Sequence, residues 1–231
     1  MSNIIVTNPP RTAIEDLDAL AEYGVATVHE AMGRTGLVGT SVHPIQNGAR
    51  IAGSAVTVLS WPGDNLMIHA AVEQCQPGDI LVVTTVSPSL DGSFGELFAT
   101  ALKHRGVRGL VTTGGVRDVV DLREMGFHVW AGAQNAQGTV KATPGSVNVP
   151  IIVGGVTIRP GDAVVADDDG VLCVPRESVA EAIAASKSRT DKEAGARAAY
   201  QTGEVSLDRN KLRPLLAELG VTYVPASDDA S

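Results

Sequence analysis

The 231-residue chain is 44% hydrophobic and 19% charged, long enough to bury a substantial core. Its 26 acidic residues exceed its 18 basic ones for a net charge of −8, and with 3% aromatics and no dense Lys/Arg run it argues against nucleic acid as a direct partner. No apolar run reaches membrane-spanning length, the N-terminus lacks the basic start of a signal peptide, and Cys75 and Cys173 are isolated, so a cytoplasmic protein with no membrane partner is expected.

Taken in order, Thr12-Ala13-Ile14-Glu15 fits a capping box ahead of a helix that should stop near Tyr23-Gly24. A short second helix, Val25 to Met32, carries His29 and Glu30. Arg50 to Trp61 reads as one or two strands, and Pro62-Gly63-Asp64-Asn65 is a turn opening a helix from Asn65 to Gln74. Next comes a repeated pattern of apolar strand, glycine-containing loop and helix. Ile80 to Val86 leads through Gly92–Gly95 to a helix over Glu96–His104. Val107 to Thr113 leads through Gly114-Gly115 to a helix over Arg117–Met125.

Gly126 to Ala131 reads as a third buried strand, and residues 134–150 as loops and short edge strands. Residues 151–175 suggest a β-meander whose Asp167-Asp168-Asp169-Gly170 is a hairpin turn with solvated carboxylates. Glu177 to Tyr200 is a long polar helix and Leu207 to Leu219 a last short one. No linker divides the chain, so one domain over residues 1–231 is expected, with a helical extension over 176–231.

The central βαβα unit holds the candidate site. Right-handed crossovers place its two loops beyond the carboxyl ends of neighbouring strands, where open α/β sheets bind ligands. The first loop offers free N–H groups at a helix start, suited to a carboxylate. The second offers a fixed cation, Arg117, beside a hard oxygen ligand, Asp118. An arginine at a helix start opposes the helix dipole, a local cost that a purely structural residue usually avoids. In isolation this dipeptide would pass for an N-capping Asp with a surface Arg; the two matched loops shift the balance toward a site.

Other constellations carry less. His29-Glu30 lacks the second histidine of a zinc-protease helix, so Glu30 reads as a surface residue within possible reach of a substrate. Asn65 and His69 share a helix face and could hydrogen-bond an anion, though spacing alone favours a capping Asn and a partly buried His. No nucleotide-binding loop or nucleophile elbow is present. For a Schiff-base mechanism Lys103, Lys187, Lys192 and Lys211 lie in polar helical stretches, which leaves Lys141 as the candidate amine.

Gly95-Glu96-Leu97, a spacer over residues 97–116, Arg117-Asp118, and then the segment Val164 to Val171 together resemble the RraA-like family. That family includes class II pyruvate aldolases acting on 4-hydroxy-4-methyl-2-oxoglutarate and 4-carboxy-4-hydroxy-2-oxoadipate, and shorter proteins that regulate ribonucleases. The resemblance continues through Lys192-Glu193 and Gly203 to Asp208, which the short regulators lack, and so favours the aldolase branch.

The resemblance implies a layered α/β/β/α sandwich with a partly parallel central sheet. It implies Mg²⁺ or Mn²⁺ on Asp118, the pyruvyl carboxylate on backbone N–H groups of Gly95 to Phe98, and Arg117 on the C2 oxygen. Glu96 stands where the family usually has aspartate, with a charge role near Arg117. Glu193, Glu30, Asn65 and His69 would line the substrate side, some donated by a neighbouring subunit of a trimer or hexamer. The implied activity is release of pyruvate from an anionic 4-hydroxy-2-oxo acid, with oxaloacetate decarboxylation as a side reaction, in the degradation of aromatic acids such as protocatechuate or gallate. The alternative is a catalytically inactive ribonuclease-regulating protein.

Overall fold

The computed structural model describes residues 3–226. The chain forms two compact units, one running to Lys187 and one from Ser188. In the first unit, α1 (Ile14–Ala31) precedes β1 (Leu37–Val38), β2 (His43–Pro44), β3 (Ile51–Ser60), α2 (Leu66–Gln74), β4 (Asp79–Thr85) and β5 (Gly92–Phe94). There follow α3 (Glu96–His104), β6 (Gly109–Val116), α4 (Val119–Glu124), β7 (His128–Gln134) and β8 (Ser146–Val147). The unit is completed by β9 (Ile151–Val153), β10 (Val156–Ile158), β11 (Ala163–Asp167), β12 (Gly170–Val174) and the start of α5 (Val179–Gln201). The second unit holds the rest of α5, α6 (Ser206–Arg209) and α7 (Arg213–Glu218), and none of its described residues is buried.

The fold is mixed α/β. Its 10-stranded sheet runs β1-β12-β11-β3-β4-β6-β7-β2, with β5 paired to β6 and β8 to β3 off this path, and β3, β4, β6 and β7 are mutually parallel. The expected partly parallel central sheet is therefore present, with antiparallel strands on both flanks. Strand alternation assigns its two faces. Leu81 and Val83 join Val56, Ile68, Leu102 and Leu122 beneath α2, α3 and α4. Ile80 and Val82 join Val111, Trp130, Ile151 and Ile158 on the other face, which the β9–β10 hairpin covers. Leu17, Leu20, Val25 and Val28 of α1 close over Val165, Leu172 and Val174.

Several local expectations are corrected. Thr12 caps no helix: its hydroxyl donates to Gly161 O at 2.9 Å, and its N–H donates to the Ser54 hydroxyl at 2.9 Å. The break at Gly24 is real, with φ of 76°, and Val25 N–H is taken by the Asp167 carboxylate at 2.8 Å. Asp167 is thus buried and structural, whereas a solvated turn was expected; its neighbour Asp168 accepts the Gly48 N–H. The meander divides: β11 and β12 join the large sheet, while β9 and β10 form a separate pair. The final helix is split into α6 and α7, with Lys211 between them at φ of 53°.

One buried ion pair ties the N-terminal segment to the sheet. Arg11 Nε donates to Asp79 at 2.9 Å, and Arg11 also donates to Gln74 O at 2.9 Å. Burial pushes the Asp79 carboxyl up, against the pull of its bonds to Arg11 and the Gln76 N–H. Arg11→Ala strands that carboxylate in the interior, and urea unfolding is expected to show a loss of about 3–5 kcal/mol.

Candidate active site

The two loops of the central unit lie side by side because β5 pairs with β6 in parallel, Gly92 opposite Gly115 and Phe94 opposite Val116. Arg117 N–H donates to Phe94 O at 2.9 Å and carries the alignment one residue further. Here the sequence expectation needs two corrections. Gly114 and Gly115 belong to β6, and α4 begins at Val119, after Arg117. Glycine is required at 115 because a side chain would collide with the Leu90 carbonyl, and the β6–β7 register slips between Thr112 and Gly115.

Asp118 sits at the α4 N-cap position in the left-handed region, φ 55° and ψ 40°, and its side chain does not cap that helix. Its Oδ2 instead accepts the Glu96 N–H at the start of α3, at 3.2 Å, and lies 3.7 Å from Arg117 Nε. Backbone in this region costs an L-residue about 1–2 kcal/mol, with Asn and Asp the better tolerated types. The bond to the Glu96 N–H offsets part of that cost and keeps the carboxylate turned toward the first loop.

Gly95 has an ordinary extended backbone, φ −157°, so its role is spatial. A Cβ there would collide with the Asp118 carboxylate and stand 3.1 Å from Arg117 Cγ. Gly95→Ala is expected to displace both functional groups and lower turnover by at least about tenfold, because small misplacements of positioned groups are costly. Steady-state kinetics beside a thermal melt would check this.

These groups line one cavity of about 360 Å³, walled by Asn65, His69, Gly95, Leu97, Phe98, Arg117, Asp118 and Lys141 among others. The Arg117 and Asp118 side chains are 48% and 40% exposed, open to a ligand. The Glu96 N–H is committed to Asp118, which narrows the expected carboxylate cradle. Among the described residues, the N–H groups of Leu97 and Phe98 are the free donors at this helix start. The Glu96 carboxylate accepts from the Thr100 hydroxyl at 2.6 Å and makes no ion pair with Arg117 among the described residues.

Asn65, at the N-cap position of α2, and His69, one turn on, both line this cavity. Asn65 is buried, and its amide donates to Ser93 O at 3.1 Å; the N–H of Leu66 goes to Asp64 instead. His69 packs on Phe98 with ring centroids 4.4 Å apart. Desolvation, and then the Lys141 charge, lower its pKa and favour the neutral ring. Lys141 is the wall residue that pattern reasoning did not place here. The one hint was its position outside the polar helices.

Glu30 lies outside this lining, at the end of α1, paired with Arg34 at 3.0 Å. Glu193 lies in the second unit, paired with Arg189 at 2.8 Å. Among the described residues no three His, Cys, Asp or Glu side chains gather as a metal cage. A lone exposed carboxylate suits a hard divalent cation that keeps most of its water, and Asp118 has that character. No described helix is long and apolar enough to cross a membrane.

Comparisons with known proteins agree with this architecture. The Aldolase/RraA family model matches residues 25–173, a span that contains every cavity residue named above and leaves out Glu193. A protein of Halalkalibacterium halodurans named "Putative 4-hydroxy-4-methyl-2-oxoglutarate aldolase" is 33% identical over 169 residues, 72% of this chain and 79% of that one. A namesake from Burkholderia multivorans is 38% identical over 145 residues, 62% of this chain and 86% of that one. Among solved structures, Streptomyces coelicolor RraAS2, described as an unusual member of the RNase ES inhibitor RraA family, is similar with a TM-score of 0.75 and 28% identity, over 82% of this chain and 99% of that one. With the family model matching well over half of the chain, the chain belongs to the RraA-like family.

Proposed function

We propose that this protein is a divalent-cation-dependent aldolase that cleaves 4-hydroxy-2-oxo acids to pyruvate, with 4-hydroxy-4-methyl-2-oxoglutarate and 4-carboxy-4-hydroxy-2-oxoadipate as substrates. The observation that carries this is the convergence of Arg117, the Asp118 carboxylate and the free Leu97 and Phe98 N–H groups in one cavity. The names of the two bacterial relatives support the same chemistry.

In retro-aldol cleavage the C4 hydroxyl loses its proton and the C3–C4 bond breaks. The electron pair passes into pyruvate enolate, placing negative charge on the C2 oxygen. The α3 N-terminus holds the C1 carboxylate, and Arg117 faces the C2 oxygen, where charge grows in the transition state. Asp118 would hold Mg²⁺ or Mn²⁺, which supplies Lewis-acid charge at that same oxygen when bound. The C4 hydroxyl proton leaves to water, and Glu193 is a further catalytic group of the proposal on the substrate side, in a trimer or hexamer whose sites lie between subunits. Loss of CO₂ from oxaloacetate passes through the same enolate, so that side activity is part of the proposal.

The test is pyruvate release from both substrates, with and without EDTA and with Mg²⁺ or Mn²⁺ added back. Cation-dependent release supports the proposal. Turnover indifferent to EDTA, with borohydride trapping pyruvate on Lys141, would replace it by Schiff-base chemistry.

A second reading has its own support, the likeness to RraAS2 along nearly all of that chain. A ribonuclease-regulating protein would release no pyruvate under any metal condition and would lower the rate of a bound endoribonuclease.

A further inference from the structure

Asp64 is 2% exposed in the turn ahead of α2, and it ties two segments of chain together. Its Oδ1 accepts the Leu66 N–H at 2.8 Å, while its Oδ2 accepts those of Ala142 and Thr143 at 2.8 and 2.7 Å. Around it, Asn65 N–H donates to Val140 O at 3.0 Å and Val140 N–H to Gly63 O at 2.9 Å. Trp61 Nε1 closes the far side on Pro144 O at 2.9 Å. Charge-assisted bonds are roughly twice as strong as neutral ones, so one buried carboxylate with three backbone donors makes a firm joint. It holds the 140–144 loop to the start of α2, and with it Lys141 to the wall that Arg117 also lines.

The cavity therefore presents two cations, Arg117 and Lys141, against one lining carboxylate, Asp118, in a protein of net charge −8. The proposed chemistry uses the α3 N–H groups for the first carboxylate and Arg117 for the C2 oxygen. It leaves Lys141 without a task, and Lys141 makes no ion pair among the described residues. Beside it stand two neutral polar groups, the His69 ring and the Asn65 amide. A cation with neutral hydrogen-bonding neighbours suits a carboxylate.

We propose that Lys141, held in place by Asp64, is the specificity determinant for a second carboxylate on the substrate, carried on the fragment beyond the bond that breaks. This rests on the aldolase reading and deepens it. Asp64 acts through Lys141 and is a positioning residue. Fixing the loop in advance removes part of the ordering cost that a mobile lysine would add to binding.

The experiment compares kcat/KM for 4-hydroxy-4-methyl-2-oxoglutarate with that for 4-hydroxy-4-methyl-2-oxopentanoate, which has a methyl group in place of the second carboxylate. Lys141→Ala is expected to lower the value for the dicarboxylate by about 10- to 100-fold, mainly through KM, as loss of a charged hydrogen-bond partner does. The monocarboxylate value should fall less than about threefold, and Lys141→Arg should restore most of the preference. Asp64→Asn, with Lys141 intact, should erode the same preference in the same direction. Equal losses on both substrates, or none, overturn the assignment of Lys141. Wild-type protein that cleaves neither substrate and leaves the C3 protons of pyruvate unexchanged in D₂O fails instead on the aldolase reading.

Discussion

Arg117→Ala is expected to lower kcat for pyruvate release by about 100- to 1000-fold, the scale seen when one oxyanion donor is removed. The loss falls on kcat because the C2 oxygen becomes an oxyanion only as the C3–C4 bond breaks; ground-state binding draws less on this cation. The fold has little stake in the side chain. Its guanidinium is half exposed, and its ion contact is a loose 3.7 Å approach to Asp118. The bond that aligns the two loops comes from the Arg117 backbone N–H, which alanine retains. Surface truncation of this sort changes stability by roughly 0.5 kcal/mol. Coupled pyruvate assays beside a thermal melt would separate the two effects, and near-normal kcat in a folded variant would sink the role given to Arg117.

Asp118→Asn is expected to abolish the response of pyruvate release to Mg²⁺, Mn²⁺ and EDTA, with turnover falling by a comparable two to three powers of ten. Asparagine is the informative replacement. It tolerates the left-handed backbone that Asp118 adopts, and its amide oxygen can still accept the Glu96 N–H. Alanine would add a backbone penalty of about 1–2 kcal/mol and free the α3 N-terminus, confounding charge with geometry. With asparagine the anionic charge is what changes. EDTA-sensitive turnover at the wild-type rate in this variant would show that the cation is held elsewhere.

Much of the framework follows from local pattern. The α3 helix forms over Glu96–His104 as its spacing indicates, and Asp79–Thr85 is the buried strand that the run Ile80–Val86 suggests. The interruption at Gly24 also falls where glycine predicts it. Local pattern misleads where a distant partner outbids it. Thr12 has the form of a cap, yet Gly161 and Ser54 take its hydroxyl and N–H. Gly114-Gly115 has the composition of a loop and stays in β6, where the Leu90 carbonyl approaches Gly115 too closely for a side chain. Asp167 has the neighbours of a solvated turn and is buried under the break in α1.

By itself the sequence determined the main strands and helices of the central unit, the absence of a strongly basic run, and the pairing of a glycine-led helix start with Arg117-Asp118. These are properties of adjacent residues, governed by periodicity and backbone preference. Only the tertiary structure decided that Asp118 turns to the N–H of Glu96, 22 residues earlier, and not to its own helix. Only it brought Asn65, His69 and Lys141 to the wall that Arg117 lines. That gathering depends on β5 lying against β6 and on Asp64 reaching backbone N–H groups 78 and 79 residues away. Contacts between residues so far apart in the chain are set by strand register and loop closure, neither of which leaves a periodic trace in the sequence.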